Sequence, residues 1–424
     1  MTETITTLNK KSVLKPYRKV EIKRRLDNGT GDYEADWFDV TDYIVSFGTI
    51  NWNLDTETVG VFVQSSVNLV GDNLSRKWGT ETDAESLFSG FQTRYKTLFK
   101  ISTGLYEETT VRGEGAVFYG ILTDDITLTE TQAILKINSL TEIFREQKAS
   151  GLSLSASDTA SDIVTKVLNL QDDSGNVIFD RFINGSSADV TTTVYADVTS
   201  GSNLENQTCW DIINRMCLTE DMAAYIGNNG SFYFVGKTSG TDIDWKFNGA
   251  GVFDETYGVN IKEIQQSNNI WTKIYNQIVV EHTTDTFGTA GDTWSQGDDS
   301  SSDKYGERPL NVNEHWLGST AAVEVAGSLY LAYREPKREA ILTSSTYNPS
   351  LKLLDRVKAT YFGETTTTPP GLFGISVFGS SYSDGVGLFT GRQGGVYLDE
   401  IPMNIIGIEL DLDKPESKFI LREV

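Results

Sequence analysis

The sequence predicts a mainly β protein with a minor α component, in which two related β-domains of barrel or sandwich type flank a small helix-plus-hairpin middle domain. Short alternating or β-rich runs recur over residues 17–140, separated by clusters of Gly, Asn, Asp and Thr. Amphipathic helix patterns and an Asn-Gly turn replace them after residue 150. Strand patterns then return from residue 261 onward.

The length of the chain predicts several packed units, because 424 residues exceed one ordinary domain. We divide the chain into a polar N-terminal tail at 1–16, a first β-domain at 17–150, a middle α+β domain at 151–255 and a second β-domain at 256–424. Loop insertions are expected in the second β-domain at about 283–304 and 363–398.

The net charge of the chain indicates which kinds of partner it can bind. A formal net charge of -23 at pH 7 argues against specific nucleic-acid binding, which needs clustered Lys and Arg against the phosphates. An acidic wall can repel phosphates that pass nearby, and a merely soluble acidic surface would have the same composition. The sequence leaves these two interpretations open.

The N-terminus and the cysteines are informative about location and redox state. The opening stretch MTETITTLNKK has no apolar core of a signal peptide, and no run of about 18 uncharged apolar residues occurs. We therefore expect synthesis in the cytoplasm and no stable membrane insertion. Cys209 and Cys217, eight positions apart on a predicted helix, are expected to be core thiols.

Three helices are predicted from apolar stripes. Ser157 or Asp158 should cap the first, and Thr208 with Asp211 should cap the second, which leads into a hairpin turned at Asn229-Gly230. The stripes of the first and third helices are Ala160, Ile163, Val164, Val167 and Leu168, and Ala322, Val325, Ala326, Leu329 and Tyr330.

An internal repeat relates the two predicted β-domains. Segments 94–99, 120–121 and 134–136 match 356–361, 407–408 and 420–422 in order and residue type. The first two segments start 26 positions apart in the early copy and 51 in the late one, and the run 363–398 accounts for the difference. Coincidence among β-rich segments is the alternative. If the repeat is a duplication, three chains would present six similar β-domains to a six-fold partner.

One set of residues forms a signature when taken in chain order: Tyr305, Gly306, Arg308, Pro349, Leu351, Asp355 and Val357. By this signature the chain resembles the phage tail hub family, which includes contractile-tail baseplate hubs, late-control D-type proteins and the N-terminal part of siphophage tail-tip proteins. Thr41-Asp42-Tyr43-Ile44 with Phe47-Gly48 resembles the opening of siphophage tail proteins. Leu354 stands where the family usually has Gly, which puts the tight turn before Asp355 in doubt.

This resemblance implies a structural role in the virion, at the tail tip or baseplate. It implies a homotrimer whose two tube-type β-domains form a pseudo-hexameric ring around the channel for DNA and tape measure protein. The ring would join a distal tail or tail tube protein to tip, spike or fibre proteins, with a part in host attachment and genome ejection.

Catalytic, cofactor and metal sites are not expected. The common nucleotide, hydrolase and zinc motifs do not occur, and neither His282 nor His315 lies in a nucleophile motif. The carboxylate pairs Asp124-Asp125 and Asp172-Asp173 are adjacent, so on a strand they would point to opposite faces. An acidic cluster lacks the spacing of a calcium loop and is expected to be solvated; its members are Asp292, Asp298, Asp299 and Asp303.

One predicted loop carries aromatic side chains suited to a protein contact. We expect contact with a neighbouring tail protein, or ordinary packing, from Phe373, Phe378, Tyr382, Phe389 and Tyr397. Two other functions stay open at this point. One is a receptor-binding or glycan-binding protein with an aromatic groove, and the other is a cell-wall or polysaccharide hydrolase with two close carboxylates.

Overall fold

The computed structural model describes most of the chain. The described ranges are 15–28, 31–54, 60–196, 198, 204–237, 242–249, 260–267, 274–283, 290–297, 299–314, 316–344, 348–361, 398–414 and 416–423. Within these ranges the chain forms 22 strands and five helices, which confirms a mainly β, α+β protein. Among these residues, none of the helices is long and apolar enough to cross a membrane.

The first ten strands precede the first helix along the chain. They are β1 (Lys15–Arg25), β2 (Phe38–Asp39), β3 (Ile44–Ser46), β4 (Thr49–Asn53), β5 (Val61–Phe62), β6 (Ser66–Asp72), β7 (Thr93–Glu107), β8 (Thr110–Leu122), β9 (Thr127–Leu128) and β10 (Gln132–Ser139). Buried and exposed residues alternate along β4, β6 and β10, as expected of strands with one face on a core.

The remaining strands are shorter on average. They are β11 (Ser186–Ala188), β12 (Met222–Ile226), β13 (Phe232–Gly236), β14 (Trp245–Asn248), β15 (Ile261–Ser267), β16 (Gln277–Thr283), β17 (Ala290–Gly297), β18 (Pro309–Asn313), β19 (Glu339–Ser344), β20 (Arg356–Tyr361), β21 (Leu398–Asp411) and β22 (Glu416–Glu423). The hairpin of β12 and β13 turns where the Asn-Gly pair predicts it.

The five helices are α1 (Thr141–Glu146), α2 (Ala160–Leu168), α3 (Cys209–Glu220), α4 (Asp299–Tyr305) and α5 (Ser319–Tyr333). Thr208 and Asp211 form the predicted capping box of α3. The cap predicted for α2 is wrong, because Thr159 and Asp162 form its capping box while Asp158 accepts a hydrogen bond from Lys166. The predicted apolar stripes of α2 and α5 are buried.

Two large sheets share one strand order. The first runs β2-β1-β7-β8-β10-β6-β3, with β9 paired to β10; the second runs β14-β20-β21-β22-β19-β15, with β4 paired to β21. Six strands of each sheet can be numbered 1 to 6 along the chain, namely β1, β3, β6, β7, β8 and β10 in the first and β14, β15, β19, β20, β21 and β22 in the second. In this numbering both sheets follow the spatial order 1-4-5-6-3-2. The first strand differs in direction, because β1 is antiparallel to β7 and β14 is parallel to β20.

This shared order supports the predicted duplication at the level of strands. The matched segments lie on β7, β8 and β10 in the early copy and on β20, β21 and β22 in the late copy. The residue alignment does not hold throughout, since Gly120 pairs with Ser139 whereas Gly407 pairs with Ile420. Ser139 lies five positions beyond Ile134, the residue that the sequence alignment equates with Ile420.

Two smaller sheets complete the fold. One runs β11-β13-β12-β5 and the other β17-β16-β18. A single hydrophobic cluster contains side chains of both large sheets, among them Ile22, Phe118 and Met403. A second cluster joins the middle helices to the small three-stranded sheet and α5, through side chains such as Ile213, Ile278 and Leu329.

Strands from different predicted domains pair with one another in the sheets. Strand β4 pairs with β21, β5 with β12, and β14 with β20. The four-part division therefore stays a prediction about sequence segments and does not describe the pairing. The loop expected at about 283–304 is wrong for its described part, which forms β17 and most of α4.

Candidate functional sites at the joints between the sheets

The signature residues 348–357 form a turn that leads into β20, here named the signature turn. The Asp355 carboxylate accepts the Lys352 main-chain N–H at 2.9 Å, and the Leu354 N–H donates to the Ile405 carbonyl at 2.8 Å. Leu354 has a φ of 66°, the left-handed conformation that Gly adopts freely. The turn is therefore the one expected for Gly, retained here at a strain of about 1–2 kcal/mol. Two further signature side chains, Leu351 and Val357, are buried.

The signature turn also contacts the middle hairpin and the first sheet. The Tyr225 hydroxyl donates to the Leu353 carbonyl at 3.0 Å, and the Asn228 side-chain amide donates to the Pro349 carbonyl. A Cβ added at Gly115 of β8 would lie 3.1 Å from the Pro349 ring. Three parts of the fold meet at this turn, which makes it a structural joint.

Two carboxylates lie at the signature turn. Burial, with a smaller contribution from the nearby Asp244 carboxylate, raises the pKa of Asp355 to about 7, against the main-chain hydrogen bond from Lys352 that lowers it. Asp244 accepts the Arg356 main-chain N–H at 3.0 Å. Asp355 therefore changes its protonation state near neutral pH, inside the joint.

The other half of the signature forms a separate joint after α4. Gly306, with a φ of 74°, ends the helix by donating its N–H to the Ser302 carbonyl at 2.8 Å. The fully buried Asn276 donates to the Gly306 carbonyl and accepts the Arg308 N–H, both at 2.8 Å. These bonds align the parallel pair of β16 and β18. Signature residue Tyr305 is the last residue of α4.

Asn276 is a residue that the sequence reasoning missed. It stands at the start of the β-rich run 274–280, where an apolar side chain would be ordinary. A buried amide in such a run needs hydrogen-bond partners, and this is the signal that could have identified it.

Asp413 forms a third joint, between the two large sheets. Its carboxylate accepts the Ser46 hydroxyl at 2.6 Å and the main-chain N–H groups of Phe47 and Gly48 at 3.1 and 3.2 Å. Burial opposes ionisation of Asp413, but these hydrogen bonds outweigh it and hold the pKa of this carboxyl below its ordinary value. The Phe47-Gly48 motif therefore serves as the contact for the β21–β22 turn.

The clefts of the described surface include two that bear on the glycan-binding and hydrolase alternatives. A polar cleft of about 410 Å³ is lined by Asn51, Asn53, Gln64, Ser65, Ser66, Lys136, Asn138, Ser139, Thr141 and Glu142. A second cleft of about 170 Å³ has five aromatic side chains in its lining, Tyr33, Trp37, Phe99, Tyr119 and Phe182. Each lining contains a single carboxylate, Glu142 or Asp180, so neither described cleft holds the two close carboxylates of a glycoside hydrolase.

The carboxylates considered for catalysis are engaged in structural contacts. Asp124 lies 3.0 Å from Lys136, and Asp125 lies 3.5 Å from Arg94. Asp172 lies 2.8 Å from Arg181, and hydrogen bonds led by the one from the Asn176 N–H lower its pKa. Three of the four candidate carboxylates, Asp124, Asp125 and Asp172, therefore lie in ion pairs.

The remaining site candidates divide into buried and undescribed residues. Burial raises the pKa of the Cys209 thiol to about 12, and Cys217 is fully buried. In the described ranges, no group of three His, Cys, Asp or Glu side chains could hold a metal ion. The side chain of His282 lies outside the described residues, as do His315, Asp298 and the five loop aromatics Phe373, Phe378, Tyr382, Phe389 and Tyr397.

The fold is similar to solved phage-type tail proteins. The tail protein from Neisseria meningitidis MC58 matches with a TM-score of 0.50 at 9% identity, over 96% of each chain. The 43 kDa tail protein of prophage MuSo2 from Shewanella oneidensis matches with a TM-score of 0.49 at 10% identity, also over 96% of each chain. The prophage tail protein gp18 from Listeria monocytogenes EGD-e gives 0.46 at 11% identity, over 95% of this chain and 94% of that one.

Sequence similarity alone does not place the chain in a family. No family model matches the chain, and no curated protein matches it. At 9% identity the Neisseria protein shares a fold with this chain, and the expected likeness to tail proteins is confirmed at that level.

Proposed function

We propose that this chain is a structural, non-catalytic hub subunit of a phage-type tail tip or baseplate, acting as a homotrimer. The observation that carries the proposal is the repeated strand order 1-4-5-6-3-2 in the two large sheets. The shared fold with the Neisseria tail protein over 96% of both chains supports it.

The repeat connects a trimer to a six-fold partner. Three chains carry six sheets of one topology, and six similar sheets can form a pseudo-hexameric ring that meets a six-fold tail tube or distal tail protein. Tip, spike or fibre proteins bind the opposite side, and the channel accommodates the tape measure protein and DNA. The net charge of -23 keeps phosphates from adhering to such a channel.

The three joints give this role a physical basis. The signature turn, the Asn276 contact and the Asp413 contact hold the sheets through defined hydrogen bonds. A subunit that transmits load between a tube and a tip needs its units fixed relative to one another. The joints supply that rigidity without contributing catalytic groups.

Negative-stain averaging of the purified protein tests the proposal. We expect three-fold rings with six lobes of similar size. Averages with another symmetry, or particles with two lobes per chain that never form rings, would contradict the hub function.

A further inference from the structure

Strand β4 separates from the first sheet next to the polar cleft. Strand β3 pairs with β6 as far as the contact of Ser46 with Val70, and the chain then turns at Phe47-Gly48. After the turn, β4 pairs with β21 of the second sheet. The part of β6 that begins at Ser66 therefore extends past its β3 neighbour, opposite β4.

The hydrogen bonds of β4 determine which of its groups face the cleft. The Leu54 N–H donates to the Ile406 carbonyl, and the Leu412 N–H donates to the Gly48 carbonyl. In an antiparallel ladder, bonded pairs alternate with pairs whose main-chain groups point to the opposite edge. Even-numbered residues of β4 therefore bond to β21. The N–H and carbonyl groups of Asn51 and Asn53 point away from it.

The same reasoning applies to β6. The Ser139 N–H donates to the Ser65 carbonyl, so odd-numbered residues of β6 bond to β10. The main-chain groups of Ser66 and Asn68 consequently point toward β4. In the part of the chain that the structure describes, strand pairing leaves these groups and those of Asn51 and Asn53 without a main-chain partner.

Both strand edges adjoin the polar cleft of about 410 Å³, because Asn51, Asn53 and Ser66 all line it. The cleft closes near Gly48, where an added Cβ would lie 2.2 Å from the Asn68 carbonyl oxygen. Beneath the two strands, Trp52 belongs to the core that the large sheets share. The cleft is thus a polar surface slot above a sealed core.

We propose that this slot binds an extended segment of another protein chain, which adds to the free edge of β4 as a strand. Free strand edges are templates for such pairing, and main-chain hydrogen bonds supply the affinity. The lining selects polar side chains, since it contains amides and hydroxyls and no aromatic ring. Lys136 and Glu142 are its two charged residues, so a segment of low net charge fits. This inference does not depend on the proposed hub function.

A synthetic ten-residue peptide of alternating Thr and Asn serves as the probe, because it is polar, uncharged and strand-forming. Hydrogen exchange of residues 49–54, followed by mass spectrometry, reports pairing at the β4 edge. We expect about tenfold slower exchange of the Asn51 and Asn53 amides at roughly millimolar peptide. The same peptide with every Thr and Asn nitrogen methylated keeps its side chains but has no main-chain donor on either edge, and it should give no protection.

Two variants complete the test. Asn51→Pro removes an N–H that points out of the sheet and should abolish protection at Asn53, whereas the matched control Asn51→Ala keeps the N–H and should behave as the parent. Equal protection by the N-methylated peptide, or unchanged exchange with the parent peptide, would overturn the proposal. If Asn51→Pro does not fold, the comparison of the two peptides decides alone.

Discussion

The protonation of Asp355 should make the stability of the protein depend on pH. Burial and the Asp244 carboxylate raise the pKa of Asp355 from 3.8 to about 7 in the folded protein. The folded state therefore binds more protons than the unfolded state between about pH 4 and pH 7. The stability that Asp355 contributes is fully present below about pH 4 and is lost as the pH rises through 7. Three pH units correspond to about 4 kcal/mol, which is an upper bound.

Asp355→Asn isolates this effect. The amide oxygen can still accept the Lys352 N–H, while no charge forms at high pH. We expect the variant to match the parent at about pH 4 and to become the more stable protein as the pH rises, by about 1–4 kcal/mol at pH 8. The assay is urea unfolding followed by tryptophan fluorescence at pH 4, 5, 6, 7 and 8, comparing the free energy of the first unfolding transition.

A control variant distinguishes the effect of Asp355 on stability from the effect of the overall negative charge of the chain. Asp173→Asn removes one exposed carboxylate and should leave the pH profile parallel to that of the parent. The reasoning is refuted if Asp355→Asn and the parent show the same pH slope, or if the variant is the less stable protein at pH 8.

Three joints and one loop give further predictions. Asp413→Ala should cost about 1–3 kcal/mol above pH 5 and less as the pH falls, since the lowered pKa of Asp413 stabilises its charged form; equal losses at pH 3 and pH 7 in urea unfolding would contradict this. Leu354→Gly should be destabilising yet about 1 kcal/mol more stable than Leu354→Ala, because only Gly releases the strain at a φ of 66°; the usual order, with Ala the more stable, would contradict it. Asn276→Ala should cost about 1–3 kcal/mol by removing two part-buried hydrogen bonds made by a fully buried side chain, against under 1 kcal/mol for the exposed control Asn311→Ala, both by calorimetry. Deletion of 363–398 should leave a folded trimer with weaker attachment to a tail neighbour in pull-down assays; an unfolded variant would assign the segment to the core.

Local signals made part of the fold predictable. The capping box of Thr208 and Asp211 and the apolar stripe that begins at Ala322 are properties of a few neighbouring residues, and both helices form as expected. The repeat of β-rich segments predicted two sheets of one topology, because strand order is retained even where residue identity is not.

Pairing between distant segments was not predictable. The sequence of β4 does not indicate which of the two large sheets the strand joins, because the alternation of apolar and polar residues determines only which face of the strand is buried. The cap of α2 was misplaced by one or two positions because Ser157, Asp158 and Thr159 are all good capping residues. The polar segment that contains β17 and α4 has no apolar periodicity, and neighbouring elements impose its structure.

The signature residues were predictable as a set but not in their roles. The family resemblance places Gly306 and Asp355 in one signature, whereas the structure assigns them to two separate joints. The departure at Leu354 suggested a differently built turn, yet the left-handed conformation is retained. Tertiary contacts from Ile405 and Tyr225 hold the turn against the strain of its side chain.

The solution mass of the purified protein, measured by light scattering, tests the central claim most directly. A homotrimeric hub predicts a mass of about three times 46.9 kDa that stays constant on dilution through the micromolar range. A mass equal to one chain that persists at the highest soluble concentration, or a dimer or tetramer, would contradict it.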